Sequence, residues 1–364
     1  MFVCRIRRES ARSLGGEITT KEDRAIKALI TGGAGFIGCN AASRFLRRGD
    51  EVVLIDNLSR KGAAANLNWL WPQGHLTFIN ADVRDAPRIA SIFREHADST
   101  LVLHLAAQVA VTQSLVNPRL DFEVNSLGTL NVLEAARTAR IVAPIIYSST
   151  NKVYGQLTDV DASPDDAPWS ASSLAHGIPE ERRLDFHSPY GCSKGAADQY
   201  VRDYHRVYGL NTVVMRQSCV YGCRQFGIED QGWVAWFAIT AASGRTITLY
   251  GNGRQVRDIL YVDDLLDAFE AAAANIAIAA GSAYNIGGGP DNAVSLLDVI
   301  AFIERRNRRP IPRRLAPERT GDQRLYVSDT RRAHHDLGWV PRTGWRTGVD
   351  RLCAWVGENL DHLR

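Results

Sequence analysis

Residues 28–49, ALITGGAGFIGCNAASRFLRRG, run without a break from an apolar stretch through a string of glycines into an amphipathic one. This order leaves a chain few options. AIKALIT, over residues 25–31, reads as a buried strand, and FIGCNAASRFLRR reads as a helix closed by Gly49. Between them, Gly32, Gly35 and Gly38 permit a tight turn and let a charged group approach the backbone. The helix start at Phe36 and Ile37 adds N–H groups and positive potential, which suit a pyrophosphate. A second strand, EVVLID, ends in Asp56, 18 residues past Gly38, where an acid would hold a ribose hydroxyl. These features predict a dinucleotide site. The charge of Asp56 would repel a 2′-phosphate, so NAD is favoured over NADP, although Arg60 and Lys61 keep NADP open.

The same register continues along the chain. LTFIN, TLVLHLA, APIIYSS and NTVVMR are further short apolar runs, and APRIASIFREH and residues 118–140 are helical stretches between them. Short buried strands alternating with helices predict an α/β fold with a Rossmann-type doubly wound parallel sheet. After about Cys219 the alternation loosens, which predicts a smaller C-terminal α/β substrate domain. The expected division is a tail over 1–24, a dinucleotide domain over 25–218 and a second domain over 219–364. About 254–280 would return to the first. In this frame Asn57, Ser59 and Arg60 flank the ribose acid, and Asp82 and Val83 in NADV lie where an adenine would sit. Leu105, Ala106, Ala107 and Gln108 end the fourth strand beside the expected pyrophosphate and nicotinamide.

Composition narrows the partners. A hydrophobic content of 45% with 23% charge is that of a soluble globular protein, and a net charge of +3 names no nucleic acid partner. No apolar run reaches membrane-spanning length. The six cysteines show no zinc spacing, so a reducing cytoplasm with free thiols and no metal is expected. Asp263 and Asp264 read as acids of a helix start rather than metal ligands.

Chemistry enters at the carboxyl end of the fifth strand, which faces the ligand crevice in such sheets. Thr150 sits there in SSTNKVYG, and forty residues on Tyr190 and Lys194 occupy one helix face, one turn apart, behind Ser188 and Pro189. A phenol, a hydroxyl and an ammonium beside a nicotinamide are parts for removing a proton as hydrogen leaves a carbinol carbon. Free Tyr, with a pKa near ~10, is a weak base at neutral pH, and a neighbouring Lys194 would favour its phenolate.

TGGAGFIG, SSTNKVYG and YGCSK together resemble the extended short-chain dehydrogenase/reductase family, from about Ala28 to the C-terminus. The resemblance implies a catalytic set of Thr150, Tyr190 and Lys194, with Tyr190 and Lys194 also contacting the cofactor. More narrowly, residues 184–200, 211–237 and GNGRQVRDILYVDD resemble the branch that epimerises C2 of CDP-linked sugars. Gln217 and Cys219 depart from that pattern, and the N-terminal tail has no counterpart in it. The likeness implies a CDP-sugar substrate, with CDP-glucose or an NDP-sugar 4-epimerase reaction as alternatives, and a homo-oligomer built on helices beside the sheet. Substrate-binding candidates are Thr150, Gln231, Gly232, Trp233, Arg257, Arg319, Asp322 and Gln323, the two arginines suiting a diphosphate or ribose. The tryptophans equally suit a packed core. A 4,6-dehydratase is disfavoured because Asn151 and Lys152 stand where dehydratases of the family carry Asp-Glu. A net dehydrogenase would have to release reduced cofactor. A non-catalytic NAD sensor would gain nothing from the triad.

Overall fold

The computed structural model describes residues 26–160, 175–319 and 322–363, so the tail anticipated over 1–24 lies outside the described residues. Six strands follow the expected order: β1 (Lys27–Thr31), β2 (Glu51–Asp56), β3 (Leu76–Asn80), β4 (Leu101–His104), β5 (Ile145–Thr150) and β6 (Thr212–Gln217). A seventh strand, Ala283–Ile286, pairs with β6. Across the sheet the order is Ala283–Ile286, β6, β5, β4, β1, β2, β3, and every pair is parallel.

The strands are apolar on both sides because the sheet is covered on both sides. Val52 and Leu54 join one core with Ala28, Ile30, Leu101 and Leu103; Val53 and Ile55 join the other with Leu29 and Val102. All four residues of β2 from Val52 to Ile55 are at most 1% exposed. Burying each such side chain is worth about 1.5–3 kcal/mol, which rewards an unbroken run over an alternating one. The helices Phe36–Arg47 and Val262–Ala274 cover the first core. Ala86–Glu95, Gly128–Thr138 and Ser188–Tyr208 cover the second.

Two local expectations change. The helix expected over 118–140 is interrupted: Pro118–Phe122 and Gly128–Thr138 are α-helical, but Glu123–Leu127 is a π turn. The wider turn carries Asn125 inward, where it is 1% exposed and bonds Gln108, Asp121 and Ser193. The basic, proline-broken stretch RRNRRPIPRR over 305–314 reads as a solvated connection, yet it ends in a strand, Arg313–Ala316, parallel to Ile247–Tyr250. The segment expected to return to the first core, about 254–280, places Leu260 and the helix Val262–Ala274 there, and the chain continues to the edge strand. Val256–Tyr261 belongs instead to a second sheet with Cys219–Tyr221, Ala293–Ser295 and Leu325–Tyr326. Around it, Phe237, Ile239, Leu249, Ile259, Val299 and Leu352 form the core of the smaller unit.

Candidate active site

In the sheet order, β1 lies between β4 and β2, so the connections leave β1 and β4 towards opposite faces. That switch point is where open α/β sheets hold ligands. The glycine loop after β1 and the Leu105–Gln108 turn after β4 meet there. Gly32 has φ +68°, and a Cβ on it would fall 2.7 Å from the Ala106 N; one on Gly38 would fall 2.4 Å from the Gly32 carbonyl. Only glycine fits either place. At Gly35 an added Cβ would meet only the Gly32 carbonyl, at 3.1 Å, so that side of the loop stays accessible. Asp56 ends β2 beneath the loop and accepts from the Ala34 N–H at 3.0 Å and from the Leu58 N–H at 2.7 Å. Burial pushes its carboxyl above the ordinary value, against those backbone bonds.

Phe36 and Ile37 open the first helix, with Gly35 just before it. Asn57 donates to Asp82 at 2.9 Å, and Ser59 N–H donates to Asn57 at 3.1 Å, so the expected adenosine side forms one connected surface. The bond from Arg84 holds the Asp82 carboxyl down at about 2. Val83 is buried, and its carbonyl accepts from Asn131. The Gln108 amide is committed to Ala110 and to Asp121, at 2.7 Å, so it shapes the turn. Arg60 reaches across to Gln231 at 3.1 Å and ties this loop to the second unit. These residues fit a dinucleotide: an acid at the ribose position, and a side-chain-free loop at a helix N-terminus.

Thr150, Tyr190 and Lys194 converge at the carboxyl end of β5. All three are at least nine-tenths buried. The helix carrying Tyr190 and Lys194 spans Ser188–Tyr208. At its start Ser188 has φ +65°, and its Oγ accepts from the Gly191 N–H at 3.3 Å, the bond expected of a capping serine. Burial pushes the Tyr190 phenol up to about 12, and its hydrogen bond with Thr150 works in the opposite direction. Lys194 differs from the expectation that it tunes Tyr190 directly. Its Nζ donates to the Ser148 carbonyl at 2.5 Å and lies 4.3 Å from the centre of the Tyr147 ring. Burial lowers the ammonium to about 7, opposed by the charges of Asp198 and Asp121. A buried ammonium takes the nearest acceptors it can, and here those lie on β5.

A cavity of about 310 Å³ opens from this point towards the smaller unit. Thr150 and Tyr190 line its end beside β5; Gln231, Gly232, Trp233, Arg257, Arg319 and Asp322 line the rest. Gln323 is the exception among the substrate candidates. It is fully buried behind the wall, donates to the Gly155 carbonyl at 2.6 Å and accepts from Asn151 at 3.1 Å, so it positions Asn151 instead of meeting a ligand. Arg257 pairs with Asp322 at 2.8 Å. Arg319 pairs with Asp230 at 3.0 Å and stacks 3.7 Å from the centre of the Tyr250 ring. Two buried atoms on the wall, Trp236 Nε1 and Gln225 Oε1, have no hydrogen-bond partner among the described residues.

Several lining residues lie outside the expected set, among them Asn151, Lys152, Cys219, Glu229, Asp230 and Tyr250. Asn151 and Lys152 had a signal: they occupy the two places after Thr150 on a short turn, Asn151–Tyr154, at the mouth of the crevice. Asp263 and Asp264 are in the first turn of their helix, with Asp264 accepting from Thr343 and Asp263 facing Arg44. Among the described residues no cluster of His, Cys, Asp and Glu has metal-binding geometry.

The profile of the GDP-mannose 4,6 dehydratase family matches residues 29–352. The CDP-paratose 2-epimerase of Salmonella typhi is 43% identical over 338 residues, 92% of this chain and 100% of that protein. Among solved structures, the UDP-glucose 4-epimerase of Thermus thermophilus, in complex with NAD, superposes with a TM-score of 0.74 at 32% identity, covering 93% of this chain and 99% of the other. DesIV of Streptomyces venezuelae, a dTDP-glucose 4,6-dehydratase with NAD and TYD bound, gives 0.78 at 28% identity, covering 92% and 98%.

Proposed function

This chain belongs to the GDP-mannose 4,6-dehydratase family, within the extended short-chain dehydrogenases/reductases, and from that premise we propose that it inverts C2 of a CDP-linked hexose. It is an NAD-dependent nucleotide-sugar epimerase. CDP-paratose, giving CDP-tyvelose, is the favoured substrate; CDP-glucose is the alternative. The observation that carries the reading is the turn after Thr150. Dehydratases of the family are expected to carry an acid pair there, for a second proton transfer on the sugar ring. Here Asn151 and Lys152 line the cavity in those places. An amide and an ammonium offer no such acid pair, so the chemistry reduces to oxidation and return at one carbon.

NAD, held by the glycine loop Gly32–Gly38 and Asp56, would supply the reversible hydride chemistry at the sugar carbon. Tyr190 takes the hydroxyl proton at Oη and later restores it. Thr150 Oγ1, which accepts from the Lys152 backbone N–H at 3.2 Å, is oriented to hold the same sugar oxygen. Arg257 and Asp322 suit the diphosphate and ribose. Product NMR after incubation with CDP-paratose, CDP-glucose and UDP-glucose tests this. A C2 epimer of a CDP-sugar is the expected product; a 4-keto-6-deoxy sugar, or a 4-epimer from UDP-glucose alone, would overturn the assignment.

The reading extends to assembly and location. Val116 and Phe122 are 79% and 57% exposed on short helices packed against Ser188–Tyr208, which itself exposes Tyr200, Val207 and Tyr208. An apolar surface of this kind beside the sheet suits a second copy of the chain. Sedimentation should give a dimer or tetramer, and Val116→Asp with Phe122→Asp should shift it to monomer; a monomeric parent would end the proposal. The five described cysteines are all unpaired, which agrees with a cytoplasmic site, and among the described residues no helix is long and apolar enough to cross a membrane.

A further inference from the structure

Asp121 is a fully buried acid on the helix Pro118–Phe122, outside the set of Thr150, Tyr190 and Lys194. Its Oδ1 accepts from Gln108 Nε2 at 2.7 Å and from Asn125 Nδ2 at 3.2 Å, and its Oδ2 accepts from Ser193 Oγ. These partners belong to the turn after β4, the π turn and the helix Ser188–Tyr208. Ser193 stands between Tyr190 and Lys194 in sequence, and its Oγ also reaches the Tyr190 carbonyl at 3.2 Å. Asp121 therefore fastens the helical turn that carries both groups to the turn that follows β4. Neutral donors face its oxygens, an arrangement suited to the ionised form. An ionised carboxylate in such a place is costly unless a positive charge lies close by.

Lys194 supplies one. The charges of Asp121 and Lys194 act on each other, each favouring the charged form of its neighbour. Around Lys194, β5 presents the Tyr147 ring and the Ser148 carbonyl, and β4 presents His104, whose ring burial holds down at about 3. Its own helix adds Tyr190 and Asp198, but Asp198 is already bound twice by Arg216 of β6. Of these charges, Lys194 and Asp121 are the two without a direct ion-pair partner among the described residues, and they are opposite in sign. We propose that Asp121 is a positioning residue of this site: it holds the helical turn of Tyr190 and Lys194 and is the buried counter-charge of Lys194. Its effect on the reaction rests on the roles given above to Tyr190 and Lys194; the pairing itself does not. The carboxylate favours the ammonium of Lys194 and disfavours the phenolate of Tyr190. Removing its charge lowers both titrations, so the whole pH window of activity moves to lower pH. A loss of packing alone would reduce turnover at every pH and leave the window in place.

Two measurements test this together: turnover against pH, and NMR of the NAD-loaded protein carrying isotope-labelled lysine. The chain has five lysines, and Lys194→Arg identifies the Lys194 signal. In Asp121→Asn that signal should titrate about one unit lower than in the parent, the scale on which a neighbouring charge acts, and both limbs of the activity profile should follow it. Asp121→Glu should keep both close to the parent. Asp121→Ser, equally neutral and smaller, should shift as Asp121→Asn does, and it serves where the amide disturbs the fold; retained NAD identifies the folded variants. A Lys194 signal that titrates alike in the parent and in the neutral variants would overturn the counter-charge. A shifted signal beside an unmoved activity profile would keep the pairing and overturn the roles given to Tyr190 and Lys194.

Discussion

Replacing Tyr190 by Phe is expected to cut turnover by roughly 10²–10⁴-fold, the usual worth of a positioned proton transfer, while nucleotide affinity stays within a few-fold. The ring is 8% exposed, and Phe keeps its packing; only the hydroxyl, with its bond to Thr150, is lost. The phenol is poorly suited to its role in isolation, because burial holds it near 12. The role proposed for Tyr190 therefore requires the site to lower the cost of its phenolate. Lys194 sits one helical turn away on the same helix, and its own burial brings its ammonium near 7, so both groups depend on charge delivered to the crevice. Initial rates followed by NMR, with CDP titrations on the same preparations, separate the two parameters. Turnover near that of the parent would move the proton transfer elsewhere, with Lys152 the next group to test.

Removing one member of the buried pair Arg216–Asp198 should cost about 3–5 kcal/mol of stability, the largest loss expected from any single polar substitution away from Thr150, Tyr190 and Lys194. The two meet through two bonds of 3.0 Å, at 2% and 0% exposure. Asp198 also accepts from Ser149 at 2.8 Å, and Arg216 donates to the Tyr154 hydroxyl at 3.0 Å, which donates in turn to Asn285 at 2.8 Å. This network ties β5, the helix Ser188–Tyr208, β6 and the edge strand together immediately behind Thr150. Asp198→Ala would leave a guanidinium in an apolar interior with no counter-charge. Chemical denaturation measures the loss, and a change under about 1 kcal/mol would show that water or a neighbour takes over the role. Asp198→Leu combined with Arg216→Met should recover much of it, because the cost lies in the orphaned charge. The double variant should still turn over more slowly, since Asp198 no longer steadies Ser149, the residue before Thr150.

What could be read along the chain was set by neighbours close in sequence. The unbroken apolar runs of β1, β2 and β4 declare a sheet buried on both faces, because no one-sided strand tolerates Val52 to Ile55 without a polar break. The glycine loop declares itself because Gly32 and Gly38 answer to clashes within the loop and with the next turn, and Tyr190 and Lys194 share a face by helical geometry alone. The rest depended on contacts between distant segments. Asn151 meets Gln323, 172 residues on, and that contact puts Asn151 on the cavity wall while withdrawing Gln323 from it. The π turn that buries Asn125 forms because Gln108, Asp121 and Ser193 surround it, and no local propensity favours it. Lys194, expected at Tyr190, lies on Ser148, since a buried ammonium follows the acceptors that packing brings to it. Lys152 is ordinary beside Thr150 in sequence; Asp322, paired with Arg257, comes to it only through the packing of the smaller unit. Backbone geometry acts over a few residues and is written in their order, whereas the balance of buried charge is decided by whichever segments packing places together.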